Sequence, residues 1–77
     1  MRVRLLTRAG CHLCADAAEI VERVCAETGT GWDTCDVDSD PELRAEYGDQ
    51  VPVVLLDGRE RDSFRVDEAR LRADLSG

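Results

Sequence analysis

The longest hydrophobic pattern in the chain has the periodicity of an α-helix. Its apolar residues recur at spacings of three and four, with charged side chains on the opposite side; they are Leu13, Cys14, Ala17, Ala18, Ile20, Val21, Val24 and Cys25. This stripe predicts an amphipathic helix that buries a wide apolar face. Gly29-Thr30-Gly31 is expected to end it. The short apolar run Val3–Thr7 predicts a strand before it, and Gly10 permits a tight turn between the two.

The middle of the chain predicts a second strand and a short second helix. The strand is expected over Trp32–Val37. Asp40 can cap a helix that begins with Pro41, because proline suits the first helical position, where no backbone N–H is needed. Gly48 is expected to end this helix.

The last third predicts a hairpin followed by a third helix. Val51–Leu56 is the most strand-like run of the chain, and Asp57-Gly58 after it is a strong signal for a two-residue turn. The returning strand, Glu60–Phe64, is mostly charged, which suits an exposed sheet edge. Asp67 is expected to cap a final helix.

These elements follow the order β-α-β-α-β-β-α. The β-α-β half should be parallel with a right-handed crossover, whereas the hairpin half must be antiparallel. We therefore predict an α/β protein with a four-stranded mixed sheet flanked by three helices. A chain of 77 residues has room for one hydrophobic core, so residues 1–77 are expected to form a single domain.

Charge and hydropathy narrow the range of partners. The formal net charge is −7, which disfavours binding to the phosphate backbone of a nucleic acid. No apolar run approaches the ~20 residues that a membrane span needs, and Val3–Leu6 is too short for a signal peptide. We expect a cytoplasmic monomer with neither a nucleic acid nor a membrane as partner.

Two of the four cysteines lie where a strand gives way to a helix. Cys11 is expected at the positive end of the helix dipole, which favours a thiolate, and Cys14 is three residues further on. That spacing places the two side by side, within reach of a disulfide. Because Cys14 belongs to the apolar stripe and Cys11 does not, we expect an exposed nucleophile and a shielded partner. Arg8 can add a cation nearby, and a protonated His12 a second one.

A zinc site is the alternative interpretation of this spacing. A four-cysteine site usually supplies a second close pair, whereas Cys25 and Cys35 are separated by nine residues. We therefore expect no metal, and we expect Cys25 and Cys35 to be buried thiols. Trp32 is expected to be a packing residue, at the end of the sheet opposite Cys11.

Several motifs in the order found here resemble the glutaredoxin-like branch of the thioredoxin superfamily. They are Arg8-Ala9-Gly10-Cys11-His12-Leu13-Cys14, Asp36-Val37-Asp38, Val51-Pro52-Val53-Val54 and Asp57-Gly58. The resemblance runs over essentially the whole chain, and Cys-x-x-Cys with Val-Pro about 40 residues later is more specific than either motif alone. It implies the thioredoxin-like fold.

The resemblance also implies roles for individual residues. Cys11 matches the nucleophile and Cys14 the resolving cysteine, while Pro52 matches a cis-proline that faces the disulfide. The backbone of Val51 is placed to pair with a bound peptide or glutathione as a β-strand would. Arg8 stands where glutaredoxins often carry a lysine.

This chain departs from the family pattern around the expected thiol-binding site. His12-Leu13 stands between the cysteines in place of Pro-Tyr, and Gln50 precedes Val-Pro in place of threonine. The Gly-Gly that normally helps to hold glutathione is absent, although Asp67 could supply the acidic group. The reductant is therefore left open between glutathione, another low-molecular-weight thiol and a flavoprotein reductase, and no tightly bound cofactor is expected.

Together these observations predict a thiol-disulfide oxidoreductase that acts on a disulfide-containing protein or a small disulfide. The alternative is a binding module of the same fold, either a non-catalytic adaptor or a holder of an iron–sulfur cluster through Cys11 and an external thiol. Cys14 argues against the cluster, because glutaredoxins with one active cysteine are the ones that more often hold clusters.

Overall fold

The computed structural model describes residues 2–76 and contains one four-stranded mixed sheet. Strand β1 (Val3–Thr7) lies inside the sheet, paired in parallel with β2 (Trp32–Asp36) and antiparallel with β3 (Val53–Leu56). Strand β4 (Arg59–Ser63) pairs antiparallel with β3, which gives the order β2-β1-β3-β4. The predicted mixed sheet is thereby confirmed. The ends of the predicted domain, Met1 and Gly77, lie outside the described residues.

Three α-helices connect and cover these strands. They are α1 (His12–Thr28), α2 (Pro41–Tyr47) and α3 (Glu68–Ser76). A 3-10 helix at Val37–Ser39 precedes α2. The element order β-α-β-α-β-β-α is therefore confirmed, with this one short addition.

The predicted capping residues act at the helix ends. The Asp40 carboxylate accepts a hydrogen bond from the backbone N–H of Glu42, at 2.9 Å, and Pro41 follows at the first helical position. Gly29 ends α1 in the left-handed conformation, with φ at 67°, and its N–H donates to the carbonyl of Cys25. Local sequence chemistry thus sets these helix boundaries.

Strand alternation divides the core between the two faces of the sheet. One face packs against α1 and α3 through fully buried side chains such as Leu5, Val21 and Leu71. The opposite face carries Leu6 and Val53, which pack with Val37, and Leu43 of α2 packs against this cluster. The sheet is therefore covered on both faces, with the longer helices on one side.

Trp32 opens β2 and pairs in register with Val3. Its side chain packs, partly buried, against the core on the α1 side. Because Cys11 follows the opposite end of β1, the predicted packing role of Trp32 far from Cys11 is confirmed.

The boundaries of three strands differ from the prediction by one or two residues. Strand β2 ends at Asp36 because the carboxylate of Asp36 accepts from the N–H of Asp38, at 2.9 Å, and so caps the 3-10 helix. Strand β3 begins at Val53, since Pro52 has no N–H to give to a ladder. Strand β4 runs over Arg59–Ser63, one residue earlier than expected, and ends before Phe64, which has a positive φ of 68°.

Ion pairs fasten α3 to α1. Glu68 accepts from Arg23 at 2.8 Å and from Arg72 at 2.8 Å, and Arg72 also pairs with Glu27 at 2.7 Å. Hydrogen bonds from Arg23 and Arg72 lower the pKa of Glu68 to about 2. On the other side of α3, Arg61 pairs with Asp74 and Arg70 with Asp62.

No helix within residues 2–76 combines the length and the apolar character that crossing a bilayer requires.

Candidate active site

Cys11 and Cys14 are joined by a disulfide at the start of α1. Their Cα atoms are 5.3 Å apart, inside the range that a disulfide requires. Cys11 is the N-cap residue, in an extended conformation, and its Sγ accepts a hydrogen bond from the backbone N–H of Cys14 at 3.2 Å. One sulfur of the pair therefore lies against the positive end of a helix, where a thiolate is stabilised.

The two sulfurs differ in accessibility. Cys14 is buried, with 5% of its surface exposed, whereas Cys11 is half-buried. A bulky disulfide can approach Cys11 from solvent, but it cannot approach Cys14 in the same way. The predicted asymmetry is present, although Cys11 is less exposed than expected.

The Arg8 side chain makes two contacts that the sequence did not predict, while its role as a cation near Cys11 stays a prediction. Its Nε donates to the carboxylate of Asp38 at 3.1 Å, and its Nη1 donates to the carbonyl of Gly48 at 3.2 Å. The guanidinium therefore ties the end of β1 to the segments on either side of α2. The backbone carbonyl of Arg8 also accepts a hydrogen bond from the N–H of Cys11, at 3.3 Å. Asp38 comes from a distant segment, so the sequence could not identify this partner.

Val51 and Pro52 lie at the end of the sheet that leads to Cys11. The register Leu6↔Val53 puts Pro52 at the Thr7 end of β1, from which the chain continues to Cys11. The Val51–Pro52 peptide bond is cis, Pro52 is buried and Val51 is half-buried. The sheet therefore brings Val51-Pro52 to the same end of the molecule as the cysteine pair.

His12 and Asp67 occupy helix starts. His12 is the first residue of α1 and is exposed next to Cys11. Asp67 precedes α3, and its Oδ1 accepts from the backbone N–H of Arg70 at 3.0 Å, which confirms the predicted cap. The Asp67 carboxylate is thus already committed in part to its own helix.

A shallow groove bordered by Leu13, the residue before Cys14, was not anticipated. It has a volume of about 270 Å³ and lies between α1 and the loop that joins β4 to α3. Leu13 and Phe64, which line it, are the two large hydrophobic side chains exposed within residues 2–76. The sequence assigned Leu13 to the buried stripe, and the exposure of Phe64 follows from a loop conformation that periodicity does not encode.

The remaining cysteines, Cys25 and Cys35, are free thiols. Cys25 is buried in the α1 face of the core, as predicted, and burial raises the pKa of its thiol. The prediction that Cys35 is buried is wrong, because it is only half-buried on β2, an edge strand of the sheet. Within the part of the chain that the structure describes, no group of three or more His, Cys, Asp or Glu residues is arranged to hold a metal ion.

Sequence comparison finds a matching family over nearly the whole chain. Residues 2–76 match the family described as Glutaredoxin-like domain (DUF836). Uncharacterized proteins of Mycobacterium tuberculosis and Mycobacterium bovis are each 51% identical to this chain, over 97% of this chain and 82% of theirs.

Solved structures show the same architecture. The protein XcR50 of X. campestris has a TM-score of 0.75 at 35% identity, covering 95% of this chain and 93% of that one. The protein Ne2328 of Nitrosomonas europaea reaches 0.82 at 23% identity, over 97% and 91% of the two chains, and supports the fold alone. The thioredoxin of Fasciola hepatica has a TM-score of 0.64 at 28% identity, over 97% of this chain and 77% of its own.

Proposed function

Because this chain belongs to the glutaredoxin-like family of the thioredoxin superfamily, we propose that it is a thiol-disulfide oxidoreductase whose redox couple is Cys11 and Cys14. One observation carries the proposal. A disulfide lies at the N-terminus of α1, with the accessible sulfur at the N-cap and the shielded sulfur one turn inside the helix. A buried structural disulfide would need neither the accessible sulfur nor the helix terminus.

The reaction starts from the reduced pair. The Cys11 thiolate attacks one sulfur of a substrate disulfide, forms a mixed disulfide, and expels the other substrate sulfur as a thiolate that takes up a proton. Cys14 then gives up its proton and attacks the Sγ of Cys11. The second substrate thiol leaves, and the Cys11–Cys14 disulfide forms. Two electrons pass to the substrate, and an external thiol or a reductase must return two electrons to the protein.

The residues around the pair have supporting roles in this proposal. The backbone of Val51 pairs with the substrate chain, and the buried ring of Pro52 holds that segment at the end of the sheet that leads to Cys11. His12, when protonated, adds positive charge next to Cys11. Arg8 supports the site through its bonds to Asp38 and Gly48.

The partners and the compartment are part of the proposal. We propose a monomer that works in the cytoplasm, where thiols are kept reduced. The substrate is a disulfide-containing protein or a small disulfide. Glutathione, another low-molecular-weight thiol or a flavoprotein reductase returns the electrons. If the reductant is glutathione, Asp67 supplies the acidic group that holds its γ-glutamyl end. No tightly bound cofactor is needed, because the two sulfurs carry both electrons.

A redox titration tests the proposal. The protein is equilibrated in graded thiol/disulfide buffers and alkylated, and the modified cysteines are located by mass spectrometry. We expect Cys11 and Cys14 to titrate together as one two-electron pair, while Cys25 and Cys35 remain thiols at every potential. If Cys11 and Cys14 never pair, or if Cys11→Ser reduces a small disulfide as fast as the unmodified protein, the oxidoreductase proposal is wrong.

A further inference from the structure

The exposed apolar surface of the described residues is concentrated at one place. Leu13 is 49% exposed and Phe64 is 54% exposed, and both line the groove between α1 and the β4–α3 loop. Leu13 stands between Cys11 and Cys14 in the sequence. The groove therefore borders the first turns of α1, the same segment that carries the cysteine pair.

The conformation of Phe64 is not explained by packing in the core. Its φ of 68° is a left-handed conformation that a bulky residue rarely adopts, and more than half of its side chain faces solvent. Its N–H donates to the carbonyl of Gln50 at 2.9 Å, which fixes the residue next to the Val51-Pro52 segment. Strained residues of this kind cluster at sites that clamp a ligand.

The lining indicates what the groove accepts. Besides Leu13 and Phe64, the side chains of Ile20 and Val66 are apolar, while Asp16 and Arg65 contribute one charge of each sign. Neither of these two charged residues forms an ion pair with another of residues 2–76. At about 270 Å³ the groove is smaller than the roughly 300–1,000 Å³ that drug-sized ligands occupy, so it suits an amino-acid side chain.

We propose that this groove binds an apolar side chain that flanks the reactive cysteine in a polypeptide substrate, and so selects protein disulfides over glutathione disulfide. The inference rests on the oxidoreductase function proposed above. Glutathione carries charged and polar groups but no apolar side chain, so it cannot fill a groove of this lining. A polypeptide can place one side chain there while its own cysteine lies against Cys11.

The reaction is the exchange already described, with the substrate identified by its chemistry. Cys11 forms the mixed disulfide with the substrate cysteine that has the apolar neighbour, and the other substrate sulfur leaves as a thiol. Formation of the Cys11–Cys14 disulfide releases the first cysteine as a thiol. The apolar contact speeds the first step, because it holds the substrate sulfur near Cys11.

Matched peptides test the proposal on the reduced, full-length protein. Two otherwise identical peptide disulfides carry either leucine or serine beside the cysteine, and their rate constants of reduction are measured in single turnover. Oxidised glutathione and bis(2-hydroxyethyl) disulfide serve as small substrates. We expect the leucine peptide to react roughly tenfold or more faster than the serine peptide, the discrimination that one apolar pocket provides.

Two glycine variants locate the effect. Phe64→Gly removes the side chain and retains a residue that favours positive φ, so the fold is preserved. Asp57→Gly is the matched control, because Asp57 is also exposed with a positive φ of 51° but lies in the hairpin turn at the far end of the sheet. We expect the leucine-to-serine ratio to fall to within about twofold in Phe64→Gly and to remain unchanged in Asp57→Gly.

The outcomes separate this inference from the proposed function. If bis(2-hydroxyethyl) disulfide is reduced but the two peptides react equally, or glutathione disulfide reacts faster than the leucine peptide, the groove proposal is wrong and the oxidoreductase function stands. The groove proposal is also wrong if the leucine peptide still reacts faster than the serine peptide, by the wild-type ratio, in Phe64→Gly. If the wild-type protein sediments as a dimer and Phe64→Gly sediments as a monomer, the groove is a self-association surface and the groove proposal is wrong. If no disulfide is reduced, the proposed function itself fails.

Discussion

Replacement of Gly29 by alanine should destabilise the protein through the backbone alone. Gly29 ends α1 with φ at 67°, and a Cβ built there would meet no atom within 4 Å. No steric clash complicates the substitution, so its effect reports the left-handed conformation. The left-handed conformation costs an L-residue with a Cβ about 1–2 kcal/mol of free energy.

Gly31 provides the matched control two residues away. It has no positive φ, and a Cβ added there also meets nothing within 4 Å. Either alanine reduces the freedom of the unfolded chain, which is worth about 0.4–1 kcal/mol of stability. That contribution cancels in the difference between the two variants. Gly31→Ala should therefore stabilise the protein slightly, and Gly29→Ala should be less stable than Gly31→Ala by about 1–2 kcal/mol.

Urea unfolding of the oxidised protein measures this difference, with thermal unfolding as a second measurement. For a domain of this size the gap corresponds to about 4–8 °C in Tm per kcal/mol. The slope of the urea transition should be the same in both variants, since the surface exposed on unfolding does not change. Equal midpoints for the two variants would refute the claim that the αL conformation of Gly29 determines how α1 ends.

Three further predictions concern the site and the ion pairs. Arg8→Lys keeps the charge but cannot bond to the Asp38 carboxylate and the Gly48 carbonyl at once, so it should lower Tm nearly as much as Arg8→Ala. A Tm equal to that of the wild-type protein in Arg8→Lys would show that the charge alone matters. Because the folded pKa of Glu68 is lowered to about 2, its stabilising contribution is present above the unfolded value near 4.3 and is lost as pH falls through about 2. In Glu68→Gln the midpoint of urea unfolding should therefore depend less on pH below about 4.3 than it does in the wild-type protein. The same dependence in both proteins would contradict this. Cys14→Ser should accumulate a mixed disulfide between Cys11 and one half of a peptide disulfide, detectable by mass spectrometry, whereas release of both peptide thiols at the normal rate would contradict the resolving role.

The sequence was most informative where structure depends on neighbouring residues. The apolar stripe predicted α1, and Asp40 with Pro41 predicted the start of α2, because capping and periodicity act within a few residues. Asp57-Gly58 predicted the hairpin because both residues take the positive φ that a tight turn requires. The cysteine pair at the start of α1 was predicted for the same reason.

The remaining features depend on residues far apart in the chain. Arg8 and Asp38 are 30 positions apart in the sequence, and Arg23 and Glu68 are 45 positions apart. Neither ion pair can therefore be predicted from the local sequence. The partial exposure of Cys35 depends on its strand lying at the edge of the sheet, which alternation along one strand cannot reveal. The groove was missed because it needs Leu13 and Phe64 to meet across the fold.

The inner position of β1 has a consequence for the newborn chain on the ribosome. Strand β1 is synthesised first, yet one of its hydrogen-bonding edges is closed by β2 and the other only by β3. At about 5–20 residues per second, the ribosome leaves roughly 1–3 s between the end of β2 and the start of β3. Once β1 and β2 have left the ribosome, and until β3 follows, the edge of an apolar strand is open to pairing with other nascent chains. A delay between the emergence of β2 and that of β3 from the ribosome should therefore lower the yield of folded protein.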